Sequence, residues 1–283
     1  MIGRIIKIIS NQYTIVDEND NIYQCIAMGK VRLQMTPFVG DKVEVVKFDD
    51  KYGIEKIYPR DNFMIRPAVA NIDQLIIVMS AMEPCFSETL VDRISFLATH
   101  ANIKCLLCIT KMDLVDDMDE VIAKYQRIMP VVTCGKDDMD EKLKDIINGK
   151  ISVLTGQSGV GKSTLLNNLN PDFKLATQEI SKALNRGKHT TRHCELHKVA
   201  NGYVCDTPGF SSLDFSKMST YDLANSVIEF KEYIGKCKFN DCIHENEPGC
   251  AIKEALKANK IAQSRYNNYL SVLQMIKQRK EKY

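Results

Sequence analysis

The stretch Ile151-Ser-Val-Leu-Thr155 followed by Gly156-Gln157-Ser158-Gly159-Val160-Gly161-Lys162-Ser163-Thr164 constrains this chain more than any other. A β-branched apolar run leads into a loop of the form G-x-x-x-x-G-K-[ST], and Leu165-Leu-Asn-Asn-Leu169 continues at helical spacing. Strand, glycine loop and helix in that order make a cradle for phosphate. Backbone N–H groups converge on anionic oxygens where glycines leave room, and the helix N-terminus adds its positive dipole end. Lys162 is placed to reach the β- and γ-phosphates of a nucleotide, and the Ser163 hydroxyl to ligate Mg²⁺. Such a loop belongs at the carboxyl end of a strand in an open α/β sheet. Alternating strand and helix patterns from about residue 70 to 210 agree with that sheet.

A second loop supplies the base side. Ile103-Lys-Cys-Leu-Leu-Cys-Ile109 reads as a buried strand, and Thr110-Lys111-Met112-Asp113 stands at its end. The Asp113 carboxylate can accept from both N1–H and the 2-amino group of guanine. Adenine would leave it unpaired, which is the strong form of discrimination. The Lys111 stem can cover the purine face. Thr110 stands where Asn is commoner, and its single hydroxyl can bridge fewer groups than an amide. Val131-Val-Thr133-Cys134-Gly135 ends the next strand pattern, where a backbone N–H can meet guanine O6. In ordinary GTPases the phosphate loop precedes the guanine loop. Here the order is reversed, as in a circularly permuted domain, a rearrangement tolerated when the natural ends lie close together.

The γ-phosphate side follows the phosphate loop. Tyr203-Val-Cys-Asp206-Thr-Pro-Gly209 reads as a strand running into a D-x-x-G turn. Asp206 is placed to hold Mg²⁺ through water, and the Gly209 N–H to touch the γ-phosphate. The basic loop Asn185-Arg-Gly-Lys-His189-Thr190-Thr191-Arg192 has the composition of a switch segment, and Thr191 can complete the Mg²⁺ shell. Phe210 occupies the position where many GTPases carry a water-orienting Gln. Intrinsic hydrolysis is therefore expected to be slow, with His189 the best internal candidate for that task. Gly159 stands where potassium-activated GTPases carry Asn, so K⁺ is not invoked.

Flanking segments have other patterns. Residues 3–9, 13–16, 21–27, 42–48 and 52–57 read as five short strands, with Asp17-Glu-Asn-Asp20 as a hairpin turn. Five strands in so short a space suggest an oligonucleotide-binding type of barrel, with Lys30 and Arg32 available to phosphate. Near the other end, Cys237, Cys242, His244 and Cys250 offer three thiolates and an imidazole at short spacings. That set fills all four positions of a tetrahedral Zn²⁺ and leaves none for water, so the zinc is expected to be structural. Helical patterns span 87–100, 219–234 and 251–278. In 87–100 the apolar face is read as Leu90, Ile94, Leu97 and Ala98. The last helix carries Lys253, Lys257, Lys260, Arg265, Lys277, Arg279, Lys280 and Lys282 as a basic face for a phosphate backbone.

Composition sets broad limits. A chain of 283 residues has room for two or three domains, and a formal charge of +2 does not by itself announce a polyanionic partner. Its ten cysteines, with no secretory leader pattern, suit a reducing compartment. No long uncharged apolar run marks a membrane span.

Taken in order, these motifs resemble the RsgA family of circularly permuted GTPases that assist small-subunit maturation. The resemblance covers the whole length and rests on residues 156–164, Thr110–Asp113, Asp206–Gly209 and the Cys/Cys/His/Cys spacing. It implies a multidomain α/β architecture: a barrel over 1–62, a permuted GTPase domain over 63–212, and a zinc-binding helical domain over 213–283. It also implies a cytoplasmic monomer that uses GTP, GDP, Mg²⁺ and Zn²⁺. Its partners would be the small ribosomal subunit and its rRNA, with hydrolysis stimulated by the subunit and driving release. The departures are Thr110 and Cys134, the latter where small residues such as Ala are usual. The competing readings are a P-loop kinase or ATPase acting on a small molecule, and an RNA-binding module with an inert nucleotide domain. The permuted order would put the γ-phosphate sensor on a covalent path to the zinc domain.

Overall fold

The computed structural model describes residues 1–28, 35–65, 67–135, 139–170, 194–206 and 213–280. The basic loop with His189 and Thr191, the turn with Gly209 and Phe210, and Lys30, Arg32 and Lys282 lie outside the described residues.

The N-terminal strands are β1 (Ile2–Ile9), β2 (Gln12–Asp17), β3 (Ile22–Ala27), β4 (Lys42–Phe48) and β5 (Lys51–Ile57). They close into a barrel in the order β1-β2-β3-β5-β4, with β3 and β5 parallel. This is the expected five-stranded barrel. Inward positions alternate along each strand, and Ile5, Tyr13, Ile15, Cys25, Val43, Val45 and Ile54 fill the interior. The Asp17 carboxylate accepts from the Asn19 and Asn21 N–H groups, each at 2.9 Å, which closes the β2–β3 turn.

A small antiparallel pair, β6 (Phe63–Ile65) and β7 (Ala68–Ala70), leads into the central sheet. That sheet contains β8 (Gln74–Ser80), β9 (Lys104–Thr110), β10 (Val131–Thr133), β11 (Ile151–Thr155), β12 (Leu196–Val199) and β13 (Gly202–Asp206). Their order is β10-β9-β8-β11-β13-β12, and only β12 is antiparallel to its neighbour. Counted from β11, with β13 rejoined to β8, the order across the sheet becomes 2-3-1-4-5-6. The connections leaving β8 and β11 run in opposite directions, so the crevice opens where these neighbours meet. Helices α1 (Glu88–His100), α2 (Asp119–Gln126), α3 (Met139–Ile147) and α4 (Lys162–Leu169) cover the sheet. Every residue of β8 and of β11 is buried, as a parallel strand covered on both faces requires.

Helix α1 begins at Ser87, whose side chain accepts from the Leu90 N–H. Its buried set is Val91, Asp92, Ile94, Ser95, Phe96 and Ala98, whereas Leu90 and Leu97 are only partly covered. The expected apolar face is therefore corrected: α1 is covered on a second side by the C-terminal region, which buries two polar residues there. That region holds α5 (Thr220–Ala224), a 3₁₀ turn (Ile228–Tyr233), α6 (Ala251–Lys257) and α7 (Gln263–Lys280).

Two expected helices are broken. In 219–234 the Asn225 amide donates to the Tyr221 carbonyl at 2.8 Å and the Ser226 hydroxyl to that of Asp222 at 2.6 Å. These side chains capture helix carbonyls and end α5. In 251–278 the chain turns at Asn259, which is left-handed at φ +56°. The break divides α6 from α7 and lets both pack around one core with Phe230, Tyr269 and Leu273.

The flanking regions meet the sheet at opposite ends. Strand β1 forms a β-bridge from Lys7 to Glu195, reinforced by their ion pair at 2.7 Å. The Lys198–Asp20 pair at 2.5 Å adds a second tie between the barrel and β12. The C-terminal region instead packs on α1, beside β9.

Candidate functional site

The phosphate loop leaves β11 at Gly156. A Cβ there would stand 2.0 Å from the Val78 carbonyl, so the loop grazes β8 too closely for any side chain. At Gly161 the backbone is left-handed, φ +96°, and turns the chain into α4. Lys162 is the first residue of that helix and is buried. Its ammonium donates to the carbonyls of Gly156 at 3.0 Å and Gln157 at 2.7 Å, so it is held across the loop. The Gly161 carbonyl takes the Leu165 N–H at 2.8 Å and starts the helix. Ser163 follows in the first turn, partly covered, and Thr164 is exposed.

Strand β9 carries the other loop. Strands β11, β8 and β9 are consecutive in the sheet, so the strands that carry the two loops lie two spacings apart, about 9–10 Å. Thr110 ends β9 and is buried. Its hydroxyl lies 2.6 Å from the Val160 carbonyl of the phosphate loop and 3.3 Å from the Met79 carbonyl. One hydroxyl proton serves one acceptor, and the shorter contact joins the two loops directly. Lys111 is left-handed at φ +57° and turns the chain into the 3₁₀ turn Met112–Leu114. Its ammonium donates to the Glu83 carbonyl, in the segment that links β8 to α1. Asp113 is exposed at the rim.

The third segment, after β10, is sewn to the second. The Cys134 N–H donates to the Ile109 carbonyl at 2.8 Å, and the Cys134 carbonyl takes the Met112 N–H at 3.2 Å. The Cys134 amide is thus committed to the sheet. Its side chain is buried with Sγ 3.9 Å from Cys108 Sγ. The Cys134 contact and burial hold the Cys108 thiol well above its ordinary range, so it behaves as core. Asp206 ends β13 beside Leu154 of β11, next to the phosphate loop strand.

In the C-terminal region, Cys237, Cys242, His244 and Cys250 converge, with ligand atoms all within 4.8 Å of one another. His244 Nδ1 lies 3.7, 3.3 and 3.5 Å from the sulfurs of Cys237, Cys242 and Cys250. Ordinary Zn–S and Zn–N bond lengths give tetrahedral S···N edges of about 3.6 Å. The donor set and its spacing therefore fit zinc. Burial pushes the Cys242 thiol up to about 12, so a thiolate there requires a cation. Burial also keeps the His244 imidazole below its usual range and hence neutral, the form that ligates metal. Supporting bonds hold the cradle. The Ala251 N–H points at Cys237 Sγ at 3.3 Å, and Glu247 accepts from the N–H groups of Ile243, Glu245 and Asn246. Burial opposes ionisation of Glu247, but these donors hold its carboxyl below the usual value.

The basic face of 251–278 is corrected in part. Arg265 is completely buried and ion-paired with Asp92 and Glu229, so it cannot meet a polyanion. Lys277 is paired with Glu245 beside the metal cluster. Sequence reasoning missed the Arg265–Asp92–Glu229 group altogether. The signal was Asp92 at an inward helical position between Val91 and Ile94. Among the described residues, no helix is long and apolar enough to cross a membrane.

Comparison with known proteins agrees with this architecture. Residues 57–216 match the RsgA GTPase family model and residues 2–54 the RsgA N-terminal domain model. The chain is 46% identical to the small ribosomal subunit biogenesis GTPase RsgA 1 of Listeria monocytogenes serotype 4b, over 99% of each chain. It is 43% identical to the corresponding protein of Bacillus pumilus, again over 99% of each. Among solved structures it resembles YloQ, a circularly permuted GTPase, at 35% identity and a TM-score of 0.83, covering 98% of this chain and 95% of that one. YjeQ from Thermotoga maritima matches at 34% identity and a TM-score of 0.84, over 97% and 98%. With its phosphate and guanine-type loops in reversed order on one sheet, the chain belongs to the RsgA family of circularly permuted GTPases.

Proposed function

We infer that this chain is a small ribosomal subunit biogenesis GTPase that binds the subunit, hydrolyses GTP to GDP and phosphate late in its maturation, and couples hydrolysis to release. The observation that carries this reading is the Thr110–Val160 hydrogen bond, which joins the phosphate loop to the 110–113 loop. The relatives named for this activity align over essentially the whole chain.

Residues 156–164 wrap the phosphates in this reading. Lys162 neutralises charge on the β- and γ-phosphates as the γ-group departs. Its position across the loop, on two backbone carbonyls, supports that role, since it exchanges those acceptors for phosphate oxygens without changing helix. Ser163 and Thr191, with Asp206 acting through water, would hold Mg²⁺, which would neutralise charge on the phosphate oxygens. Gly209 senses the γ-phosphate and His189 orients water. Thr110, Lys111, Met112 and Asp113 recognise guanine, with Asp113 pairing to the base. One structural Zn²⁺ is held by Cys237, Cys242, His244 and Cys250.

Domain limits of 1–62, 63–212 and 213–283 belong to the same proposal. The end of β5 at Ile57 and the start of β6 at Phe63 support the first limit. The barrel and the zinc region are the rRNA-facing parts, and the protein works as a cytoplasmic monomer. The test is GTP turnover with and without purified small ribosomal subunits, with ATP as competitor. Strong stimulation by the subunit and indifference to ATP are expected. An unstimulated rate, or displacement of GTP by ATP, would reject the reading.

A further inference from the structure

Helix α1 belongs to two bodies at once. Its Ile94 and Ala98 lie in the core beneath the central sheet, while its Phe96 packs into the C-terminal core. On the second side it presents Asp92, whose side chain is fully buried. Asp92 accepts from Arg265 Nη1 at 2.7 Å, Tyr125 Oη at 2.8 Å and Asn268 Nδ2 at 2.6 Å. Arg265 Nη1 also donates to the Ser95 hydroxyl of α1 at 3.2 Å, its Nε and Nη2 donate to Glu229 at 2.7 and 2.5 Å, and the guanidinium lies 5.2 Å from the Phe96 ring centroid. Faces between domains of one chain are ordinarily polar and free to shift. A buried, fully paired charge cluster behaves differently, because moving Arg265 away leaves Asp92 buried without its counter-ion. Helices α1 and α7 therefore move as one piece.

Each end of that piece touches a loop with a task. At one end, Tyr266 on α7 donates to the His244 carbonyl at 2.7 Å, and Tyr269 donates to the Ile243 carbonyl. Helix α7 thus holds the backbone of the metal knuckle. At the other end, the segment leading into α1 receives the Lys111 ammonium on the Glu83 carbonyl and the Ser80 hydroxyl on the Pro84 carbonyl at 2.6 Å. The Ala81 N–H donates to the Thr110 carbonyl at 2.9 Å. The segment that leads into α1 therefore buttresses residues 110 and 111.

We propose that Arg265 and Asp92 are positioning residues for guanine recognition: they clamp the C-terminal domain to α1 and, through the Glu83–Lys111 contact, set the guanine loop. Engagement of the metal knuckle by RNA then changes how firmly the base is held, and by reciprocity the base changes how firmly the knuckle docks. The inference rests on the proposed reading of residues 110–113 as the guanine loop. It complements the covalent route from the γ-phosphate side, since by packing the zinc region sits on the base side.

The experiment compares dissociation of fluorescent GDP and IDP analogues from the full-length protein and its Arg265→Met variant. IDP lacks only the 2-amino group that Asp113 would accept from. The expected result is GDP release at least about fivefold faster, the lower end of ordinary coupling between sites, with a smaller change for IDP, so that the preference for GDP narrows. A clamp that served stability alone would lower the melting temperature and leave that preference intact, and this result would overturn the proposal. Should Arg265→Met fail to fold, Asn268→Ala removes one partly buried donor, leaves the ion pairs, and carries the same readout. Asp113→Ala separates the two layers. If it keeps the native preference for GDP, the guanine-loop reading fails and takes this inference with it. If it loses that preference while the clamp variants keep it, the clamp inference alone fails.

Discussion

The Thr110 hydroxyl lies 2.6 Å from the Val160 carbonyl and fastens the end of β9 to the phosphate loop across the intervening strand β8. A smaller side chain than the commoner Asn thus retains a bridge between base and phosphate segments. Thr110→Val keeps the shape and removes the donor. It should destabilise the protein by about 1–3 kcal/mol, the cost of a stranded buried acceptor, and weaken GDP binding. Thr110→Ser should stay close to the parent. Thermal melts and GDP titrations of the two variants check this.

The contact of the phosphate loop with β8 makes Gly156 intolerant of any side chain. In Gly156→Ala the new Cβ would meet the Val78 carbonyl at 2.0 Å, and neither backbone can yield without parting β11 from β8. Loss of soluble, nucleotide-binding protein is the expected outcome. Gly161→Ala serves as the contrast. Beyond its own helix and chain neighbours, its Cβ would meet nothing nearer than Thr110 Oγ1 at 4.0 Å among the described residues, so only its left-handed backbone at φ +96° penalises it, by about 1–2 kcal/mol. Expression, melting and nucleotide binding of both variants distinguish steric conflict from backbone strain.

The metal cluster should carry one zinc per chain and hold its own domain together. Cys242 and Cys250 lie inside the C-terminal hydrophobic core, so removing the ion exposes that core's edge. Structural zinc sites bind with apparent energies of about 10–16 kcal/mol near neutral pH. A strong chelator should therefore unfold the C-terminal region while the barrel, with its separate core, stays protected. Metal analysis and hydrogen exchange across residues 237–250 and the barrel test this. Exchange that is unchanged by chelation would contradict it.

Stability should fall in mildly acidic solution through His197 on β12. Burial, with help from Lys7 and against the opposing influence of Glu195, holds its imidazole below 6.5. The unfolded chain, with the ordinary value near 6.5, then binds the proton more readily than the folded one. Stability rises with pH wherever the unfolded state holds more protons. The contribution is complete above about pH 6.5 and declines as pH falls from there toward the folded value. His197→Gln should flatten this part of the profile. Melting temperatures of both proteins between neutral and mildly acidic pH, with zinc present, isolate His197 from the protonation of His244.

Much of the architecture was legible locally. The barrel strands and β9, β10, β11 and β13 fell within a residue or two of the ranges expected, because alternation and β-branched runs are properties of neighbouring residues, whereas β8 and β12 were covered only by the general strand–helix alternation. The phosphate loop, the 110–113 loop and the Cys/Cys/His/Cys cluster each announced themselves by spacing. Helices were read less well wherever a side chain competed for a carbonyl or a single residue turned left-handed. Asn225 and Ser226 ended α5 early, and Asn259 divided α6 from α7. A periodic pattern cannot register such breaks, since they depend on which rotamer or backbone conformation the surroundings allow.

By itself, the sequence determined the chemistry of each loop and the order in which the loops occur, and that reversed order already specified a permuted sheet. Only the tertiary structure decided which loops share support. Arg265 and Asp92 are 173 residues apart and meet completely buried. Read along the chain, one is an unremarkable cation in a basic helix and the other a carboxylate inside an apolar pattern. Their pairing arises because α1 is packed on two sides, and a buried charge is tolerated only where the fold delivers its partner. Proximity of that kind is set by the closing of the whole molecule, not by any segment of it.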